Sequence, residues 1–416
     1  MKNTIIFAIF MITISVSAQQ FELSAEIRPR YENKHGYKTL LETDADGANF
    51  VSQRTRLNFD FSYNKIKLGV SLQNVRVWGD VGTLSSNDKN ISMHIAWAEA
   101  ILSENFSVVL GRQEIVYDDS RIFGNVGWAQ QGRSHDALLA KWKISEKSSM
   151  DFGLALSANS QSNIDNLYSN VAGYKAFQYV WYHTNFEKIG LSLLALNNGI
   201  EFENANLKNE ISYSQTIGSH VTYKTGKIIS DFSVYFQSGK IKENTVTASN
   251  LSGNIKYKIS DRFLVGVGGE YLSGKDMNDT STKIKSFNPL FGTNHKFNGW
   301  MDYFYVGNHK NSVGLVDFNG VIAYNKDKFS AKLMPHFFSA AADVYNGSIK
   351  EDNYLGTEID LSLGYKISKS IRVDAGHSMM FATESMEFIK SGDSNENNSW
   401  TWLMVTFKPS LFKNKQ

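Results

Sequence analysis

The stretch Gln53–Tyr63, QRTRLNFDFSY, decides the fold. Leu57, Phe59, Phe61 and Tyr63 fall on one face of an extended chain, and Arg54, Arg56, Asn58, Asp60 and Ser62 fall on the other. A period of two with one apolar and one polar face marks a strand that meets a different solvent on each side. The same alternation recurs upstream, where Phe21, Leu23, Ala25 and Ile27 interleave with Glu22, Ser24, Glu26 and Arg28. It recurs again where Met150, Phe152, Leu154 and Leu156 interleave with Asp151, Gly153, Ala155 and Ser157.

Outward from these strands the connections fall into two kinds. Short polar turns, usually with lysine, sit near Asn64–Lys65, Ser103–Asn105, Glu146–Ser148, Glu187–Lys188, Lys224–Lys227, Lys258–Asp261, Asn325–Lys328 and Lys366–Lys369. Aromatic residues such as Tyr63, Phe186, Tyr223, Tyr257, Tyr324 and Tyr365 flank them. Between the turns lie longer stretches rich in Gly, Asn, Ser and Asp, near 32–51, 79–90, 118–134, 160–174, 197–209, 238–247, 273–314, 339–353 and 385–398. Eight short and nine long connections join eighteen strands and put both chain ends on the short-turn side. Short turns on one side, long loops on the other, an even strand number and aromatics at the turns predict a transmembrane antiparallel β-barrel, with periplasmic turns and extracellular loops. A closed barrel satisfies every backbone group inside lipid without an exposed edge. A soluble sandwich or propeller fits less well, because its strands average roughly five or six residues.

Composition agrees. The chain has 416 residues, 42% hydrophobic, 13% aromatic, with four prolines and no cysteine. Without cysteine there are no thiolate metal sites, thiol nucleophiles or disulfides. A net charge of +2 lacks the basic excess of a nucleic-acid binder. Lys2, the apolar run Ile5–Ile14 and the small residues Val16-Ser17-Ala18 read in order as a signal peptide over 1–18, ahead of a barrel over 19–416. The expected location is the outer membrane of a Gram-negative cell. No apolar run beyond residue 18 is long enough for a spanning helix.

An eighteen-stranded barrel is wide enough for an aqueous lumen. Eight of the ten arginines precede residue 134. Arg28 and Arg30 lie on the polar phase of the first strand, and Arg54 and Arg56 on that of the second, all near the loop end. Four guanidiniums are therefore expected to face the lumen together, where they would attract anions or pair with acids such as Glu22, Glu26, Asp60 and Glu99. Arg76, Arg112, Glu114, Asp118, Asp119, Arg121 and Arg133 complete the expected solute path, with a bulge near Gly111 to turn Arg112 and Glu114 inward. The 273–314 insertion is longer than a hairpin needs. Its Trp300, Tyr303, Phe304 and Tyr305 predict that it packs over or into the barrel mouth. Asp276, Asn278 and Asp279 lack the spacing of a calcium loop, the histidines are scattered, and Ser134-His135-Asp136 alternates faces. No metal site, cofactor or catalytic group is expected.

The segment from Gly111, GRQEIVYDDSRIFGNVGWAQQGRSHDA, resembles the alginate export family of outer-membrane barrels. So do QRTRLNFDFSYNKIKLGVSLQNVRVWGD from Gln53 and HKFNGWMDYFYVGN from His295. The resemblance implies passive, anion-selective passage of an acidic polysaccharide or oligosaccharide through an arginine-rich lumen, with lipid around the barrel and a periplasmic export or uptake partner. It carries Arg112, Asp118 and Asp119 over as pore-mouth residues, and Arg54 and Arg56 as the arginine-bearing second strand. Arg121, Arg133, His135 and Asp136 belong to the long form of the motif. The later strands depart from the pattern in carrying few arginines. A general porin and a soluble periplasmic glycan-binding protein are the alternatives. Absence of anion preference marks the first, and solubility without detergent marks the second.

Overall fold

The computed structural model describes residues 19–414 except 88–90 and 311. The signal-peptide reading of 1–18 lies outside the described residues. Eighteen antiparallel strands form one closed sheet. They are β1 Gln20–His35, β2 Ala48–Tyr63, β3 Ile66–Val77, β4 Ile91–Ser103, β5 Phe106–Gln113, β6 His135–Lys143, β7 Ser148–Leu156, β8 Ala176–Phe186 and β9 Ile189–Glu203. They continue as β10 Asn209–Thr225, β11 Ile228–Ile241, β12 Ala248–Lys258, β13 Phe263–Leu272, β14 Leu315–Lys326, β15 Phe329–Ser339, β16 Tyr354–Lys366, β17 Ile371–Ala382 and β18 Asn398–Phe407. Each strand pairs with its sequence neighbour, and β18 returns to β1 through Tyr31↔Leu403. Pro409 lacks the N–H that a ladder needs. It interrupts the last strand, which resumes over Ser410–Lys413 with Glu22↔Lys413. Every short turn falls within a residue or two of where the sequence puts it.

The register assigns faces. Leu110, Leu154, Ile217, Phe236, Val267, Phe318 and Leu403 are exposed on the outer wall. Tyr63, Phe186, Tyr223, Tyr257, Phe263 and Tyr365 ring its lower edge beside the turns. On the inner face Glu26, Arg28, Arg30, Arg54, Gln73 and His94 are buried, which a hollow lumen would not produce. The space is filled by chain.

Strand length explains how. β5 and β6 have only 8 and 9 residues, whereas β1 and β2 have 16 each. The wall is therefore low at β5, and the chain leaves it early. Residues 114–134 turn inward there instead of rising above the barrel. The 273–314 insertion does the same after β13, and Phe287, Met301, Tyr303 and Phe304 are at most 1% exposed. The expectation that this loop packs into the mouth is met. Helix α1, Glu384–Lys390, and residues 36–47 cover the second inserted loop, with Lys38 N donating to Met301 O and Lys390 Nζ to Asn308 O, both at 3.0 Å.

Four glycines on the inner face receive a ring from the neighbouring strand: Gly69↔Trp97, Gly153↔Tyr179, Gly218↔Tyr235 and Gly376↔Trp402. A Cβ at Gly69 would meet three indole atoms of Trp97 at 2.6–2.8 Å. The rings take the place of the missing side chains and keep the wall tight.

Candidate functional site

The two inserted loops join across the lumen. Gly124 N donates to Phe291 O at 2.9 Å, Thr293 N donates to Ser120 O at 2.9 Å, and Val126 N donates to Thr293 Oγ1 at 3.0 Å. Arg133 Nη1 donates to Gly292 O at 2.9 Å. Trp128 stacks on His295 with ring centres 4.9 Å apart. Together they make a septum.

Each end of the septum is held by a wall of matching chemistry. On β1 and β2 the arginines grip backbone carbonyls of the first loop. Arg28 donates to Gly127 O and Trp128 O, both at 2.9 Å, and Arg30 donates to Trp128 O at 2.9 Å. Arg54 Nε donates to Glu26 at 2.9 Å, and its Nη1 reaches Ala129 O at 3.4 Å. Arg56 Nε donates to Gln73, and its Nη2 donates to Gln131 O at 3.3 Å. On β13 to β16 the groups are reversed, and carboxylates accept from the second loop. Glu358 accepts from Met301 N at 2.8 Å, Asp360 from Trp300 N at 3.2 Å, and Glu270 from Asn298 Nδ2 at 2.8 Å. Asp317 is bound by His336 Nδ1 at 3.0 Å. A buried loop must satisfy its N–H and C=O groups. The first loop sends C=O to guanidiniums, and the second sends N–H to carboxylates. Arg121, 1% exposed, ties the first loop to the second wall by donating to Glu270 Oε1 at 2.8 Å.

The remaining expected residues divide. Glu114, Asp118, Asp119 and Arg133 all lie on the first inserted loop. Glu114 bonds His94 at 2.9 Å, Asp118 accepts from Trp181 Nε1 at 3.1 Å, and Asp119 accepts from Arg121 N at 3.0 Å. Burial pushes the Arg133 guanidinium down to about 10, so it remains cationic at neutral pH. Arg76 and Arg112 do not enter the lumen. Arg76 pairs with Gln53, one position out of phase with inward Arg54. Arg112 is flanked by inward Gly111 and Gln113 and binds Asp136 at 2.8 Å on the outer face. The expected bulge at Gly111 is absent. The register shifts lie on β4 instead, so the alternation through β5 continues unbroken. Gly111 takes φ +118°, and a Cβ there would lie 2.3 Å from Ala96 O.

Three cations escaped the sequence reading: Lys256 on β12 and Lys332 on β15, both half-buried, and Lys296 on the septum, which is exposed. Lys332 Nζ lies 4.6 Å from the Trp300 ring centre. Its electrostatic neighbours include Lys256 and Lys296. Partial desolvation by the surrounding chain, with Arg121 and Lys256 adding repulsion against the attraction of Asp119, holds Lys296 below the usual lysine range. Lysines recur throughout the chain, so only the fold singles these out.

The family described as alginate export matches residues 19–401. The chain belongs to the alginate export family. No curated protein sequence matches it. Solved structures similar to this family member are outer-membrane porins. They include Pseudomonas aeruginosa OccK9 (OpdG), 13% identical, TM-score 0.65, covering 94% of this chain and 98% of that one. Acinetobacter baumannii OccAB4 is 11% identical, TM-score 0.64, with 95% and 99% covered. A BenF-like porin from Pseudomonas fluorescens Pf-5 is 14% identical, TM-score 0.64, with 94% and 99% covered. At these identities the likeness is one of fold. This alginate export family protein is an outer-membrane β-barrel channel, surrounded by lipid.

Proposed function

We propose that this channel passes small acidic saccharides passively and prefers anions. The observation that carries this is the cluster of Lys256, Lys296 and Lys332. It leaves three accessible cations on the septum and the facing wall, while Arg28, Arg30 and Arg54 are committed to holding the septum. Ammonium groups in a low-dielectric constriction attract anions more strongly than they would in bulk water. A septum across the lumen suits short solutes better than a wide polymer tube would. The family's link to alginate supports an acidic sugar as solute.

The test is the reversal potential of the reconstituted protein under a salt gradient. Wild type is expected to favour the anion. Changing Lys256, Lys296 and Lys332 together to Gln is expected to abolish that preference while the barrel still inserts. An unselective or cation-selective wild type would favour the general-porin reading instead.

A further inference from the structure

Of the four inner-face rings that lie on glycine, three are covered by inserted chain: Tyr179, Tyr235 and Trp402 are 3%, 2% and 5% exposed. Trp97 is different. Its indole lies on Gly69 like the others, but it stays half-exposed and borders a cavity of about 900 Å³ at the turn end of the barrel. One inward row of the wall crosses this cavity: Lys413, Glu22, Asp60, Gly69 and Trp97 pair in register across neighbouring strands. Lys413 binds Glu22 at 2.8 Å, and Lys67 binds Glu99 at 3.3 Å. The Asp60 carboxylate and the Trp97 indole N–H make no hydrogen bond among the described residues.

We propose that Trp97 and Asp60 form a pyranose-binding subsite at the periplasmic vestibule of the channel. A flat ring whose far side rests on a glycine offers its near face to a ligand, and the negative face of an aromatic ring attracts the weakly positive C–H edges of a sugar. Asp60 accepts from ring hydroxyls, Trp97 Nε1 donates to them, and the Lys413–Glu22 and Lys67–Glu99 pairs border the site with both kinds of partner. A concave pocket with an apolar platform and a few convergent polar groups is the usual form of a small-ligand site. The unpaired carboxylate sets the chemistry. This subsite takes a hydroxylated ring by stacking, whether the sugar is neutral or acidic, whereas the lysines of the septum act on charge. The proposal deepens the channel reading above and rests on it.

The experiment uses the full protein in planar bilayers, with maltose or digalacturonate added on the turn side and current interruptions counted. Wild type is expected to be interrupted by both sugars. Trp97→Ala is expected to weaken both by about five- to tenfold, the scale of one aromatic contact. Trp97→Phe should keep most of the effect, and Asp60→Asn should weaken it. Equal interruption in wild type and Trp97→Ala, or no response of wild type to maltose, would overturn the subsite. If Trp97→Ala fails to insert, Asp60→Asn decides, and a wild-type response from it also overturns the subsite. Reversal potential, read on the same channels, reports the lysine-based selectivity separately, so either claim can fail alone.

Discussion

At the scale of single residues, the arginines that look like a solute path from sequence serve chiefly as carbonyl clamps. Arg54 is 5% exposed and shares its charge between Glu26 and the loop carbonyls. Removing one partner of a buried pair leaves the other charge uncompensated, at a cost of roughly 3–5 kcal/mol. Arg54→Ala is therefore expected to loosen the first inserted loop and raise both conductance and current noise. Removing Glu26 as well should recover part of the loss, which a double-mutant cycle on thermal stability measures. Strand phase was legible at Arg28, Arg30, Arg54 and Arg56, because alternation is local and clear there. It misled at Arg112, where a glycine and a broken apolar phase suggested a bulge that the backbone makes on β4 instead. Lys256 and Lys332 were invisible, since nothing in the sequence tells one inward lysine from another.

At the scale of elements, the turns and strands were legible and the fate of the loops was only partly so. Trp300, Tyr303 and Phe304 are too apolar for a solvated loop, and they announced their burial. The inward course of 114–134 depends on partners such as Glu270, which lies 149 positions from Arg121. No local pattern encodes that distance. The cover over the septum should respond to pH. His309 is fully enclosed, and burial pushes it down to about 3 from an ordinary 6.5. When the cover detaches, this histidine takes up a proton below pH 6.5 that the docked form refuses until about pH 3. Docking therefore weakens as pH falls through that window, by on the order of 2 kcal/mol at pH 5. Lys390 on α1 donates to Asn308 O at 3.0 Å, and burial lowers it to about 7. Between pH 7 and 10.5 the detached lysine binds more protons than the docked one, so docking strengthens as pH rises there. Protease cleavage within 383–397 is expected to be faster at pH 5 than at pH 8. His309→Gln should flatten the acid side, and Lys390→Met the alkaline side.

At the scale of the whole molecule, the septum is a strut between two patches of barrel wall that grip it with opposite kinds of group. Guanidiniums on β1 and β2 take carbonyls, and carboxylates on β13 to β16 take N–H groups. An eighteen-stranded barrel would otherwise hold a wide aqueous lumen. The septum occupies much of that lumen, and on the function proposed above the lysines left accessible beside it select small anionic solutes. Single-channel conductance of wild type against a variant with residues 286–305 replaced by a short Gly-Ser link tests this most directly. If the septum narrows the lumen, wild type shows a small, steady, anion-preferring conductance and the variant a several-fold larger, weakly selective one. Equal conductance in the two proteins would contradict it.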